Sequence, residues 1–241
     1  MEKLLTETEK TTIKNAKEFI TKIFANESSS HDTQHSLRVY ENALKIYESE
    51  VKFDKNINLF VVLISALLHD VDDYKLEKSD VKSEENRNLK AFMSNNKMDK
   101  MIQSEIVDIV NSVSFKGSDT KTPEKIEGKI VQDADRLDAI GAIGIARAFD
   151  YGGSKHRKIY NNNTVKELKD RNFIPFDIKM QSFDQYKNKK NNKNNDTLYH
   201  FYEKLLLIKG LMNTEYGKII AEKRTNCMKM FLEELYNELN V

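Results

Sequence analysis

Ser65-Ala66-Leu67-Leu68-His69-Asp70-Val71-Asp72-Asp73-Tyr74 closes the most apolar segment of the chain, Leu59 to Leu68, where Ser65 alone is polar. A run of this length is too short to cross a bilayer, which takes roughly 20 apolar residues. It suits a helix buried on all sides at the centre of an α-helical core, with His69-Asp70 at its end. Buried charge is costly by several kcal/mol per ion unless it is paired or bound to a cation. Two readings of this end are open: a frayed, solvated helix terminus, or a buried His-Asp pair satisfied by a divalent metal.

The rest of the composition agrees with an all-α chain. Eight Gly and two Pro (Pro123 and Pro175) in 241 residues favour long helices over a turn-rich β fold. The formal net charge is +1, so bulk electrostatics call for neither nucleic acid nor an anionic membrane. A single cysteine, Cys227, excludes an intrachain disulfide framework and fits a reducing compartment. Met1-Glu2-Lys3-Leu4-Leu5-Thr6-Glu7 lacks the apolar region of a signal peptide, which gives a cytoplasmic location as the expectation.

Helical spacing of apolar residues predicts helices over about 11–24, 31–51, 57–71, 83–94 and 99–113. After a loop at 115–122, Pro123 is placed in the first turn of a helix leading into Asp133-Ala134-Asp135-Arg136-Leu137-Asp138. A small-residue helix follows over 139–149, then irregular chain from Tyr151 to Asp177, and two closing helices at about 198–211 and 215–239. The Lys/Asn run at 187–196 reads as a mobile surface loop. No repeat or clean boundary divides the chain, and one domain over 1–241 is the expectation.

Chemistry-bearing residues collect in three segments. His35 shares a helical face with Val39, Asn42 and Ile46, and Arg38 flanks that face. Alone, His35 reads first as an ordinary hydrogen-bonded core histidine. His31 falls at the fraying end of the same helix, on the substrate side or in solvent. Asp135 and Asp138 share a face of an otherwise apolar helix, whereas Asp133 points elsewhere; a solvated acidic face is the plain alternative. Taken together, His35, His69, Asp70 and Asp135 offer two imidazoles and two carboxylates. Such mixed donors suit Mn, Fe, Zn or related divalent ions and leave positions open for water and substrate.

The order of these motifs resembles the HD-domain superfamily of metal-dependent phosphohydrolases. The resemblance rests on His31-Asp32-Thr33-Gln34-His35-Ser36-Leu37-Arg38-Val39, on Leu67-Leu68-His69-Asp70, and on Asp133-Ala134-Asp135-Arg136-Leu137-Asp138-Ala139-Ile140-Gly141, and covers about residues 30–153. The last tract is similar to the small bacterial branch that includes nucleoside-triphosphate pyrophosphohydrolases. The resemblance implies a single-domain, all-α HD-type helical bundle. It also implies one divalent ion (Mn, Mg, or another transition metal such as Zn, Fe or Co) on His35, His69, Asp70 and Asp135. A second ion would have to use His31 or Asp138.

Asp73 stands where the ppGpp hydrolases of this superfamily place a catalytic acid, so it is the candidate catalytic residue, against a solvated terminus. Those enzymes carry Glu-Asp where this chain has Asp73-Tyr74, a departure that argues against ppGpp as substrate. Tyr151-Gly152-Gly153-Ser154-Lys155-His156-Arg157-Lys158 supplies glycines and cations suited to phosphate oxygens, though a plain basic surface loop accounts for it equally. Arg38, Lys155 and Arg157 are the candidate substrate-binding cations. The expected function is a metal-dependent phosphohydrolase acting on a small phosphorylated compound, a nucleotide first, with nucleoside triphosphate cleaved to monophosphate and pyrophosphate. The alternatives are a phosphomonoesterase on nucleoside monophosphates and a silent HD-fold sensory or scaffold protein. Nucleic-acid binding has only the Lys187–Lys193 run behind it, which lacks interleaved aromatics.

Overall fold

A computed structural model describes residues 4–25, 32–72, 86–113, 120–170 and 196–239, and among these residues there is no β-strand. The fold is all-α. It divides into two compact units, 1–114 with 121–135, and 115–120 with 136–241.

The first unit is built around α3 (Leu59–Leu68), every residue of which is buried. Each large apolar side chain there contributes about 1.5–3 kcal/mol on leaving water, which explains why a helix apolar on all faces occupies the centre. Asn58 caps its start, its side chain accepting the Val61 N–H at 3.2 Å. Glu127 accepts the Asn58 N–H in turn at 2.9 Å. Against α3 pack α1 (Glu7–Ile23), α2 (Thr33–Glu50) and α5 (Lys100–Val113). α4 (Arg87–Asn95) packs on α5, and α6 (Ile126–Asp138) contributes its residues up to Asp135. α1 begins with a capping box, in which Thr6 accepts the Glu9 N–H and the Glu9 carboxylate accepts the Thr6 N–H.

The second unit takes the end of α6, α7 (Gly141–Ser154), α8 (Asn162–Asp170), α9 (Thr197–Glu203), a 3-10 helix (Leu205–Leu211) and α10 (Glu215–Glu238). Phe149, Phe201 and Phe231 form a ring cluster with centroids 5.7–6.0 Å apart. The last carbonyls of α6 are met by arginines: Arg224 donates to Leu137 O at 2.5 Å and Arg147 to Asp138 O at 3.2 Å. Gly141, at φ 79°, turns the chain between α6 and α7 and lets the Arg224 stem pass where a Cβ would stand 2.9 Å from its Cγ.

Several sequence expectations are corrected. Gly152 and Gly153 are not in an anion-cradling loop but in the last turn of α7. Gly152 is there for packing, since a Cβ on it would lie 2.3 Å from Thr197 Oγ1. Residues 162–170 form a helix where irregular chain was expected. The expected 198–211 helix breaks at Lys204 (φ −138°, ψ −61°) and continues as 3-10. Pro123 precedes the first turn of α6 and packs over Gly128 instead. The central helix stops at Leu68, so His69-Asp70 lies in a turn. His31, Asp73, residues 83–85, 115–119 and 187–195 lie outside the described residues.

The two adjacent glycines give a direct test of the packing role. Gly152→Ala is expected to destabilise the chain by about 1–3 kcal/mol through overpacking. Gly153→Ala, whose Cβ meets nothing within 4 Å, is expected to stabilise it by up to about 1 kcal/mol through helix propensity. Denaturant unfolding of the two variants checks this; equal effects would remove the packing role of Gly152.

Candidate metal centre

Three segments of the first unit deliver the predicted donors. His35 is in the first turn of α2, where the Asp32 side chain caps the helix by accepting the His35 N–H at 2.6 Å. It lies on the buried face with Val39, Asn42 and Ile46, as the sequence spacing predicts. His69 is the C-cap of α3, and its Nδ1–H donates to Ala66 O at 2.8 Å. That bond fixes the ring orientation and leaves Nε2 to face the site. Asp70 follows in the turn. Asp135 arrives on α6, and the buried Asn42 donates from α2 to the neighbouring Ala134 O at 3.2 Å, tying the two helices beside the site. Asn42 was legible only as a face residue; its side chain, polar on an apolar stripe, was the available signal.

The donor atoms converge. The two Nε2 atoms are 3.2 Å apart. Asp70 Oδ2 stands 3.3 Å from His35 Nε2 and 3.4 Å from His69 Nε2. Asp135 Oδ1 stands 3.4 Å and 3.7 Å from the same two atoms. Metal–ligand bonds of about 2.0–2.2 Å at tetrahedral to octahedral angles place neighbouring donors roughly 3.0–3.5 Å apart, a spacing close to that of His35, His69 and Asp135, while Asp70 stands beside both rings. Among the described residues, His35, His69 and Asp135 form the one group of this kind whose ligand atoms all lie within 4.8 Å of one another. Both histidines are nearly closed to solvent, at 2% side-chain exposure, while Asp135 keeps 23%. Asp135 is thus the most exposed of the four.

The charges of the cluster shift one another's titration. Burial would lower the His69 pKa, but Asp70 and Asp135 outweigh it and raise the value well above the usual imidazole range. Burial would raise Asp135; hydrogen bonds and charge from His35 and His69 instead hold its carboxyl well below the usual range.

Arg38 sits half-buried on α2, one turn past His35. Asp138, a candidate for a second ion, is buried in a 2.5 Å ion pair with Arg147 in the second unit. Lys155 and Arg157 belong to that unit too, their charges 5.7 Å and 5.2 Å from the Tyr151 ring centroid.

The HD domain family matches residues 33–140. YpgQ of Bacillus subtilis is 33% identical over 224 residues, 92% of this chain and 90% of that one. Its crystal structure in complex with ADP superposes with a TM-score of 0.70 at 27% identity, covering 96% of each chain. A Lactobacillus plantarum protein matches with a TM-score of 0.75 at 30% identity over 98% of each chain. An HD-superfamily hydrolase from Bacillus thuringiensis matches with 0.67 at 33% identity, over 97% of this chain and 99% of that one. The chain belongs to the HD-domain family. These relatives match it along nearly the whole chain and not over the HD-domain segment alone.

Two outcomes are expected of the centre. Asp70→Ala should lose its divalent ion, read by elemental analysis of the purified protein; a full equivalent retained would remove Asp70 from the ligand set. The second is a pH dependence of the metal-free chain. Because His69 is raised in the folded state, its stabilisation is complete below the unfolded value of about 6.5. It is lost as pH rises through the raised folded value. The Asp135 contribution, from a lowered pKa, is present above about 3.9 and is lost only as pH falls through the folded value. Thermal unfolding of chelated protein should thus fall from neutral to alkaline pH, and the stabilisation by added Mn²⁺ should grow over the same range. A chelated protein equally stable across that range would contradict the raised His69 pKa.

Proposed function

We propose that the chain is a divalent-metal-dependent phosphohydrolase whose substrate is a nucleotide, with cleavage of a nucleoside triphosphate to monophosphate and pyrophosphate as the specific reaction. The observation that carries the reading is the cluster of His35, His69 and Asp135, with Asp70 beside both rings, in a member of the HD-domain family; the proposed ligand set is all four. ADP in the YpgQ complex supports a nucleotide. The proposed working unit is the whole 1–241 domain, because the relatives match along nearly all of the chain and not over the 33–140 segment alone.

A bound divalent ion supplies Lewis-acid polarisation of a phosphoryl oxygen and lowers the pKa of water. The chain's own residues do the rest. His69, locked by Ala66 O, presents one ring nitrogen in a fixed direction. Asp135, the most exposed of the four, is proposed to face the approaching substrate. Asp73 is proposed to accept the proton of the attacking water as oxygen adds to the α-phosphorus and the bond to the pyrophosphate leaving group breaks. Arg38, Lys155 and Arg157 are proposed to offset phosphate charge; for the last two the support is their charge and their place after Tyr151.

A screen of nucleotides with added Mn²⁺, Mg²⁺, Zn²⁺ or Co²⁺, detecting phosphate and pyrophosphate separately, tests the reading. Pyrophosphate and monophosphate in equal amounts are the expected products. Inorganic phosphate from monophosphates would make the protein a phosphomonoesterase, and no turnover with metal bound would make it a silent HD-fold protein. Asp73→Asn is expected to keep the metal and lose about 10²–10⁴-fold in kcat. Arg157→Ala should lower kcat/KM for a triphosphate by roughly 10-fold or more, the scale of one charge-assisted hydrogen bond, and far less for a monophosphate. Equal losses on both substrates would return Arg157 to the surface.

A further inference from the structure

The turn that presents Asp70 is held from outside α3. α4 starts behind Asn86, which adopts φ 60° and offers no side-chain cap. Its amide instead donates to Asn111 Oδ1 at 3.0 Å. The two N–H groups that a local cap would satisfy belong to Asn88 and Leu89. Both donate to Asp72: Asn88 N–H to Oδ1 and Leu89 N–H to Oδ2, each at 2.9 Å. The Asn88 side chain adds a third bond, Nδ2–H to Val71 O at 2.9 Å. One helical turn thus grips the two residues directly after Asp70. On the other side the turn is closed by Val71 N–H to Leu68 O at 3.3 Å and by the His69 ring on Ala66 O at 2.8 Å.

We infer that Asp72, with Asn88, is a positioning residue for the metal centre: it caps α4 across the fold and so fixes the turn that holds Asp70 beside His35 and His69. The inference rests on the metal-centre reading and deepens it. The bonds are of the strong kind, a carboxylate at a helix N-terminus taking two backbone N–H groups. Asn in place of Asp72 would keep one acceptor and turn its NH₂ toward the other donor. Asp70 has no helix of its own to restrain it, since α3 stops at Leu68. The bonds from α4 to Asp72 and Val71 restrain the turn beside it. Asp72 holds the turn and not the ligand itself, so the 10–100-fold that removal of a ligand's own outer partner typically costs is the upper scale for its loss.

The experiment measures Mn²⁺ binding by calorimetry on the full chain, with unfolding temperature recorded for each metal-free protein. Asp72→Asn is expected to raise Kd by more than about twofold and at most by about 10–100-fold. Asn88→Ala, which keeps the cap but loses the bond to Val71 O, should raise Kd by a smaller factor. Thr6→Ala, which removes the α1 capping box, should lower the unfolding temperature and leave Kd as it is. That separates a lost cap in general from this one. An Asp72→Asn protein that is less stable but binds Mn²⁺ within about twofold of wild type overturns the inference, because the cap would then serve only the fold. Should Asp72→Asn not fold, Asn88→Ala decides, and an unchanged Kd overturns it. A wild-type chain that does not bind Mn²⁺ at all overturns the metal-centre reading itself, a result distinct from either.

Discussion

Two imidazole nitrogens 3.2 Å apart, with a carboxylate oxygen on each flank, are the constraint around which the first unit is arranged. Acceptor atoms crowd a buried setting here, which favours a proton or a cation among them. The carboxylates of Asp70 and Asp135 push the His69 pKa up and so favour a proton there; a divalent ion among the same atoms would answer the same demand. The apolar run of α3 makes the demand acute. By closing nearly all solvent off from both histidines, it removes the water that would otherwise solvate them.

The clustered residues His35, His69 and Asp135 were legible for different reasons. The buried α2 face of His35 follows from residue spacing, and the position of His69 follows from the end of an unbroken apolar run. Asp135 was harder, being one of three aspartates in six residues; the order of motifs along the chain, not local chemistry, singled it out. What stayed hidden was nonlocal. Nothing near Leu68 announces the end of α3, and nothing near Asp72 says that its carboxylate serves a helix sixteen residues on. Gly152 looked like freedom for the backbone, and its real partner, Thr197, is far along the chain. α8 buries only Thr164 and Leu168 among its described side chains, too few to mark a helix by periodicity.

Polar residues outside the donor set carry much of the precision. Asn42 joins α2 to α6 one residue before Asp135, and Glu127 holds the start of α3 through Asn58. Such bonds contribute only about 0.5–1.5 kcal/mol each to stability. Their greater effect is on direction, because a ligand displaced by a fraction of an ångström is a poorer ligand. An apolar core alone would assemble these helices without specifying where their ends point.

The bond from His69 to Ala66 O has a consequence for charge. Its outer partner is a neutral carbonyl and not a third carboxylate, so His69 as a ligand remains a neutral imidazole. Two neutral rings and two carboxylates sum to −2, which a divalent ion cancels. The loaded centre would then be electrically neutral and exert no long-range pull on a polyanion. If the proposed function holds, attraction of the polyanionic substrate would come from elsewhere on the protein, and association would be sensitive to salt through those other cations.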